Sequence, residues 1–224
     1  MNPRTRKNLL YEQVARIGQA VSSPKRLELV DLLAQGEKSV ETLADELSAD
    51  IKLTSAHLKA LKSARLVTSR RDGKYIFYRL AGSDVADLWV SLHHVAEEHL
   101  LELQIALGQM VADPARLSAV SRETLLEQAE RGDIFVLDVR PRQEYETSHL
   151  PFARSMPVAE IAHRLAELPV DKEIVAYCRG PFCLLSEEAV ALLAAKGYRV
   201  CKMLDGVSEW RAAGLPLEMT GGSP

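Results

Sequence analysis

The amino-acid sequence predicts an α + α/β protein of two domains, on the basis of three observations. Its 224 residues are enough for one large or two small domains. Residues 1–82 carry 15 Lys and Arg against 9 Asp and Glu, whereas the remainder carries 13 against 22. Hydrophobic residues follow a helical period in the first half, and strands alternate with helices in the second. We place the domains at residues 1–112 and 113–224.

Composition restricts the class of protein. Hydrophobic residues make up 47% and charged residues 26% of the chain, which is ordinary for a soluble globular protein. No apolar run approaches the roughly 18 residues of a membrane helix, and the N-terminus lacks the features of a signal peptide. Three cysteines are an odd number, which favours reactive or buried thiols over a disulfide framework. We therefore expect a cytoplasmic protein with no membrane partner.

Four helices are predicted in the basic half. The first spans Tyr11–Val21, and the second starts at Pro24, after Ser23 as N-cap. A short helix over Val40–Leu47 and a fourth over about 51–64 are separated by a three-residue turn. Two helices joined in this way form a helix-turn-helix, whose second helix can enter the major groove of DNA.

A basic hairpin follows the helix-turn-helix. Strand-like runs flank Asp72-Gly73 within Leu66–Leu80, which is a strong hairpin signal. Such a hairpin after a helix-turn-helix makes a winged helix, with the tip of the wing beside DNA phosphates. On the fourth helix, Leu53, Leu58 and Leu61 are expected to face inward. The predicted DNA-binding residues are Lys52, Thr54, Ser55, His57, Lys59, Lys62, Arg70, Arg71 and Lys74.

A long helix is predicted over Asp84–Met110, about 40 Å in length at 1.5 Å per residue. It carries a broad apolar stripe, which includes Val85, Leu88 and Leu92. A helix of this length at the edge of a small domain is expected to bury the stripe against a second copy of the chain.

The first half resembles the ArsR family of winged-helix repressors over about residues 8–108. The resemblance rests on Ala20–Leu27, on Ser55–Leu61 and on the wing, although Arg65 stands where the family often has glycine. It implies a homodimer that binds double-stranded, palindromic operator DNA and represses transcription until an inducer releases it.

Many ArsR proteins sense metals, so side chains that could bind a metal ion are of interest in this sequence. The short helix has no cysteine where the thiolate sensors of the family place theirs. His94 and Glu98 share a helix face at a spacing that could hold zinc. The family's usual pairing of Asp-x-His with a later His-x-x-His is absent, however. We expect no metal and no cofactor.

The second half alternates strands and helices, which predicts a doubly wound α/β domain with its site at the carboxyl ends of the strands. Ile134–Val139 is one apolar strand, and Ile174–Tyr177 is another that leads directly into Cys178. A tight Gly180-Pro181 loop, a second thiol at Cys183 and a helix starting near residue 186 follow. A thiol at such a strand–loop–helix junction is stabilised as a thiolate.

The second half resembles the rhodanese domain over about residues 117–218. The resemblance rests on these residues: Asp138-Val139-Arg140, Glu144-Tyr145, His149-Leu150-Pro151, Tyr177-Cys178, Lys196-Gly197-Tyr198, Leu204-Asp205-Gly206, Trp210 and Gly214-Leu215-Pro216. It implies that Cys178 accepts sulfur as a persulfide, with Arg179 and Gly180 in the catalytic loop. Asp138 and Arg140 would brace that loop.

One departure from the rhodanese pattern shapes the functional prediction. Cys183 replaces the basic sixth residue of the loop, a loss for which Arg179 would only partly compensate. A second thiolate that attacks a persulfide at Cys178 would give a disulfide or polysulfide bridge. Cys201 lies inside a strand pattern and is expected to be inert.

The sequence therefore predicts a DNA-binding transcriptional regulator that acts as a repressor. Its rhodanese-like domain would sense a sulfane-sulfur donor or other thiol-reactive small molecule through Cys178 and a Cys178–Cys183 crosslink. Two alternatives stay open. The domain could be a sulfurtransferase tethered to DNA, or the thiols could sense arsenite or another soft metal.

Overall fold

The computed structural model describes residues 2–220, and their contacts divide the chain into two compact units, Met1–Trp89 and Val90–Pro224. In chain order the elements that begin in the first unit are α1 (Pro3–Val21), α2 (Pro24–Ala34), β1 (Lys38–Ser39), α3 (Val40–Glu46), α4 (Ile51–Ser63), β2 (Val67–Asp72), β3 (Tyr75–Leu80) and α5 (Ser83–His99). The C-terminal part of α5 belongs to the second unit.

The first unit is a winged helix-turn-helix. Ser39 and Asp50 cap α3 and α4, because their side chains accept hydrogen bonds from backbone N–H groups in the first turn of each helix. Strands β2 and β3 form the expected hairpin, with Gly73 at a φ of 58° in its turn. The sequence did not predict β1, which pairs with β3. Two residues are too few to display an alternating pattern.

The elements of the second unit follow in the order α6 (Leu101–Met110), a 3₁₀ turn (Pro114–Arg116), α7 (Arg122–Arg131), β4 (Ile134–Asp138), α8 (Arg142–Thr147), β5 (Arg154–Ser155), α9 (Val158–Arg164), a second 3₁₀ turn (Leu165–Glu167), β6 (Glu173–Tyr177), α10 (Leu185–Ala195), β7 (Val200–Lys202) and α11 (Val207–Ala212). The four strands form one sheet in the order β5-β4-β6-β7, and every pairing is parallel.

The parallel sheet has an apolar core on each face. Along β6, Ile174 and Ala176 pack into one buried cluster, while Val175 and Tyr177 pack into another. Successive side chains of a strand point to opposite faces, so the two clusters lie on the two sides of the sheet. Helices α9 and α10 cover the first side, and α7 and α11 cover the second. The predicted doubly wound α/β architecture is confirmed.

The expected single helix over residues 84–110 is instead two helices. Helix α5 ends at His99, and α6 begins at Leu101, because Leu100 has an extended backbone with φ −108° and ψ 103°. The Gln104 side chain donates a hydrogen bond of 2.7 Å to the Glu97 carbonyl oxygen in the last turn of α5. This contact satisfies a carbonyl group that a continuous helix would have bonded internally. No glycine or proline marks the break, so periodicity alone could not locate it.

Within residues 2–220, no helix is long and apolar enough to cross a membrane.

Candidate functional site

The candidate site is the thiol loop, residues 178–184, between β6 and α10. Cys178 directly follows β6, and the Cys183 N–H donates to the Gly180 carbonyl oxygen at 3.1 Å, which closes a tight turn. The two cysteines are joined in a disulfide with an Sγ–Sγ distance of 2.09 Å and a Cα–Cα distance of 6.3 Å. Both are buried. The loop therefore brings together the two thiols that the sequence singled out.

The N-terminus of α11 packs directly against the backbone of the thiol loop. A Cβ atom on Gly206 would lie 2.2 Å from the carbonyl oxygen of Arg179 and 2.7 Å from that of Cys178. No side chain fits at such a distance, so the approach requires glycine. This contact gives a physical reason for glycine in the Leu204-Asp205-Gly206 segment.

Arg179 does not supply a cation to the loop interior. Its guanidinium donates to both carboxylate oxygens of Glu144, with Nη2–Oε1 at 2.6 Å and Nε–Oε2 at 3.0 Å. Glu144 is buried at 2% exposure and the Arg179 side chain is 13% exposed. This arrangement corrects the expectation that Arg179 compensates for the missing basic residue, because its charge is held by a buried carboxylate of α8.

Asp138 and Arg140 form a buried ion pair behind the loop. Both side chains are fully buried, and Arg140 Nη2 lies 2.6 Å from Asp138 Oδ2 and 2.7 Å from the Ser148 carbonyl oxygen. The Tyr177 hydroxyl donates to the same Asp138 oxygen at 2.5 Å. Burial by itself lowers the pKa of Arg140, but the Asp138 charge outweighs it and the net pKa is raised. The pair fixes Tyr177, the residue before Cys178.

Cys201 lies apart from the other two cysteines. It is a free thiol in β7 and belongs to the cluster on the opposite side of the sheet from Cys178 and Cys183. Burial raises its pKa to about 11, and the nearby Glu173 charge acts in the same direction. A neutral, buried thiol is a poor nucleophile. The three sulfurs are therefore not arranged as one soft-metal site.

His93 and Glu209 lie against the thiol loop, a place that no local sequence pattern predicted for either residue. His93 is 5% exposed, and its Nε2 lies 3.2 Å from Glu209 Oε1 while Nδ1 lies 2.9 Å from Glu97 Oε1. Burial lowers the pKa of His93, but its hydrogen bonds to the carboxylates of Glu209 and Glu97 outweigh this effect, and the net pKa is raised above 6.5. Helical spacing could have indicated that His93 is buried, because residues 86, 89 and 93 share one face of α5 and Ala86 and Trp89 are also buried.

A separate candidate site is the exposed face of α4. Lys52, Lys59 and Lys62 are exposed, and Ser55 and His57 are partly exposed. Lys52, Ser55, Lys59 and Lys62 follow one another at spacings of three and four, so they share a helix face. Positively charged and hydroxyl groups on one face of the second helix suit contacts with DNA phosphates and base edges.

Thr54 is a correction to the predicted DNA-contact set. Its side chain is 1% exposed, and its hydroxyl donates to the Asp50 carbonyl oxygen at 3.0 Å. Leu53, expected to face inward, is 50% exposed. Thr54 is therefore buried in the place expected for Leu53. The buried face of α4 runs through Thr54, Leu58 and Leu61, at spacings of four and three residues.

The wing presents Arg71 and Lys74 at exposed positions near the hairpin turn, as expected. Arg70 is also exposed, but its guanidinium is bound by Glu37, with Nε–Oε2 at 2.8 Å and Nη2–Oε2 at 2.5 Å. Its Nη1 lies 3.1 Å from Asp72 Oδ2. The hydrogen bonds to Glu37 and Asp72 raise the pKa of Arg70. Arg70 would therefore have to leave these carboxylates to contact a phosphate.

Among the described residues, no group of three or more His, Cys, Asp or Glu side chains is arranged to hold a metal ion. His94, the candidate for an interhelical zinc site, lies exposed on α5.

Comparison with known families agrees with both halves of the molecule. The bacterial regulatory protein arsR family profile matches residues 23–69, and the rhodanese-like domain profile matches residues 121–213. The chain is also 44% identical over 213 residues to the HTH-type transcriptional regulator Rv0324 of Mycobacterium tuberculosis, covering 95% of this chain and 93% of that protein. The chain belongs to the ArsR family of DNA-binding transcriptional regulators and carries a C-terminal rhodanese-like domain.

Each half also has separate relatives. The second half is 31% identical over 103 residues to a sulfurtransferase of Allochromatium vinosum, covering 45% of this chain and 94% of that protein. The first half is 35% identical over 90 residues to the repressor SmtB of Mycobacterium tuberculosis, covering 40% of this chain and 67% of that protein. A solved winged helix-turn-helix domain, Mb0332 from Mycobacterium bovis, is 47% identical with a TM-score of 0.41, over 43% of this chain and 90% of that one.

Proposed function

We propose that this regulator is a homodimeric repressor whose thiol loop senses reactive sulfur species. The observation that carries the proposal is the Cys178–Cys183 disulfide, which lies in a loop of the rhodanese-like domain, and this domain is attached to a DNA-binding unit. Cys178 is the residue expected to accept sulfur, and Cys183 replaces the loop cation. Because the two can bond, the loop has two covalent states, a dithiol and a disulfide. A repressor needs such a pair of states to respond to a signal.

The chemistry has two balanced steps. The Cys178 thiolate first attacks the sulfane sulfur of a persulfide RSSH, forming Cys178–S–SH and releasing RS⁻. The Cys183 thiolate then attacks the Cys178 sulfur, forming the disulfide and releasing HS⁻. The sulfane sulfur is the oxidant, and it leaves reduced as hydrosulfide. A dithiol reductant returns both cysteines to thiols.

The surroundings of the loop favour a single sensing event over repeated turnover. Formation of the disulfide consumes the nucleophile Cys178, so the next cycle requires an external reductant. Arg179 is bound to Glu144 and offers no free charge to a sulfur oxyanion such as thiosulfate. A sensor can work with a need for external reductant and with a paired Arg179, whereas an efficient sulfurtransferase cannot.

The DNA-binding role is supported by the basic face of α4 and by the wing residues Arg71 and Lys74. Dimerisation is supported by apolar side chains left uncovered on two helices. Leu88, Leu92 and Val95 of α5 are 38%, 38% and 54% exposed, and Val14 of α1 is 70% exposed. An uncovered apolar surface of this kind marks a protein contact. A second copy of the chain would bury it.

The test is an operator gel shift with the full chain, after reduction and after treatment with polysulfide. We expect the treated wild-type protein to lose operator affinity. Both Cys178→Ser and Cys183→Ser should keep the affinity of the reduced protein, while Cys201→Ser responds like wild type. Intact mass should show the loss of two hydrogens in wild type and in Cys201→Ser, and in neither Cys178→Ser nor Cys183→Ser. Equal operator binding before and after treatment of the wild-type protein contradicts the proposal.

A sulfurtransferase is the second candidate function, favoured by the 31% identity to the Allochromatium vinosum sulfurtransferase. A thiosulfate:cyanide assay separates the two functions, because an enzyme turns over many times whereas a sensor reacts once. Sustained thiocyanate production that is lost in Cys178→Ser would favour the enzyme. We expect less than one turnover per chain without added reductant.

A further inference from the structure

His93 of helix α5 contacts the thiol loop directly through Phe182 and indirectly through Glu209 of α11. Its ring meets the ring of Phe182 edge-on, with centroids 5.6 Å apart and planes at 82°. Phe182 lies between the two bonded cysteines in sequence. The second contact is the His93 Nε2–Glu209 Oε1 distance of 3.2 Å. His93 itself is buried, so both contacts are shielded from water.

Glu209 lies against the loop as well as against His93. A Cβ atom on Gly180 would lie 3.0 Å from each carboxylate oxygen of Glu209, so the loop backbone passes directly over this carboxylate. The other oxygen, Oε2, accepts the Gly206 N–H at 2.7 Å, which fixes Glu209 at the start of α11. The Glu209 carboxylate therefore lies beside both the Gly180 backbone and the His93 ring.

There is room beside these contacts for a second arrangement. A cavity of about 540 Å³ lies within the second unit and is lined by His93, Glu97, Pro181 and Glu209, among other residues. Close-packed interiors resist small displacements, whereas groups beside a cavity can move into it. The side chains that join the loop to α5 are therefore not locked by packing on every side.

The opposite face of α5 carries the apolar surface assigned above to the dimer. Leu88, Leu92 and Val95 follow at spacings of four and three and are exposed, while His93 is buried. A shift of His93 with the loop would displace or rotate this segment of α5. His93, which contacts the loop, and the apolar residues of the proposed dimer surface therefore lie on different sides of the same turns of α5.

We propose that His93 is the positioning residue through which the state of the thiol loop controls helix α5 and, through it, operator affinity. This inference rests on the proposed function. A persulfide RSSH oxidises the Cys178 and Cys183 thiols to one disulfide and is itself converted to the thiolate RS⁻ and hydrosulfide. Formation of this bond displaces Gly180 and Phe182. The Glu209 and Phe182 contacts carry that displacement to His93.

The measurement is the ratio of operator dissociation constants between the disulfide and dithiol forms of the full chain. Allosteric couplings are typically about 5–150-fold, and we expect the wild-type ratio in that range. His93→Phe, which keeps a ring but loses the hydrogen bonds, should reduce the ratio to below about twofold, and Phe182→Leu should lower it partly. His93→Gln, which retains a hydrogen-bonding group, should restore part of it. His94→Gln, an exposed neighbour on the same helix, is the matched control and should leave the ratio unchanged.

A reciprocal measurement distinguishes coupling from a loss of folding. Operator DNA should shift the dithiol–disulfide equilibrium of the wild-type loop by the same factor, and His93→Phe should remove this shift while the disulfide still forms. If wild type shows the ratio and His93→Phe keeps it, His93 is not the link, although the sensing function stands. If wild type itself shows no ratio, the proposed function fails as well.

Discussion

At the residue scale, single backbone conformations explain features that composition does not. Arg65 follows α4 with a φ of 62°, in the left-handed region, at the position where ArsR proteins often have glycine. The sequence identified this departure but not its cost. A residue with a Cβ atom is strained in this conformation, whereas glycine is not.

Replacing Arg65 with glycine should therefore stabilise the first unit by about 1 kcal/mol, through relief of the left-handed strain. Hydrogen exchange of the α4 amides reports the free energy of opening of this unit. Arg65→Ala removes the same side chain but keeps the Cβ atom, so it should give no such gain. Equal stability of the two variants would show that the backbone conformation is not the cause.

Other residue-scale features needed the tertiary structure. The Arg179–Glu144 ion pair joins residues 35 positions apart, and sequence alone placed Arg179 in the loop as a possible cation. The place of His93 against the thiol loop likewise depends on a distant partner. Its partner Glu209 is 116 residues away, a separation at which no local pattern signals contact.

At the scale of elements, the helix-turn-helix and the alternating strands and helices followed from local rules, since caps, glycine turns and periodicity act within a few residues. The break between α5 and α6 and the short strands β1 and β5 did not. The two short strands form only by pairing with β3 and β4, and the break is marked by neither glycine nor proline. The wing likewise formed as expected, but its pairing with Glu37 crosses 33 residues.

The Glu37–Arg70 pair predicts a change in DNA binding. Glu37→Gln should release Arg70 for a phosphate contact, so that operator affinity rises roughly threefold, a small gain because the pair is exposed to solvent. The slope of log affinity against log salt should steepen by about one unit. Fluorescence anisotropy at several salt concentrations measures both quantities.

Glu12→Gln is the control for this prediction, because it removes the same charge from an exposed site on α1. An equal gain in both variants would mean that net charge, rather than release of Arg70, raises the affinity.

At the scale of the whole molecule, the uncovered apolar residues of α5 predict the state of assembly. Leu92→Glu places a charge in the proposed dimer surface and should convert the dimer to a monomer, with a loss of operator affinity of more than about tenfold because one half-site is no longer held. Analytical ultracentrifugation measures the first effect and a gel shift the second.

Val170→Glu is the matched control, since Val170 is an apolar residue of the second unit with 80% exposure. It should leave the protein dimeric. A Leu92→Glu protein that stays dimeric at micromolar concentration would place the dimer contact elsewhere.

The sequence by itself determined the two-domain plan, the winged helix, the parallel α/β domain and the placement of Cys178 and Cys183 in one short loop after a strand. Each of these depends on short-range patterns: hydrophobic period, caps, turns and residues at fixed spacing. Tertiary structure alone decided that the two cysteines bond, that Arg179 is held by Glu144, and that His93 and Glu209 lie against the loop. Those contacts join residues from separate elements, and only the packing of the elements brings them together.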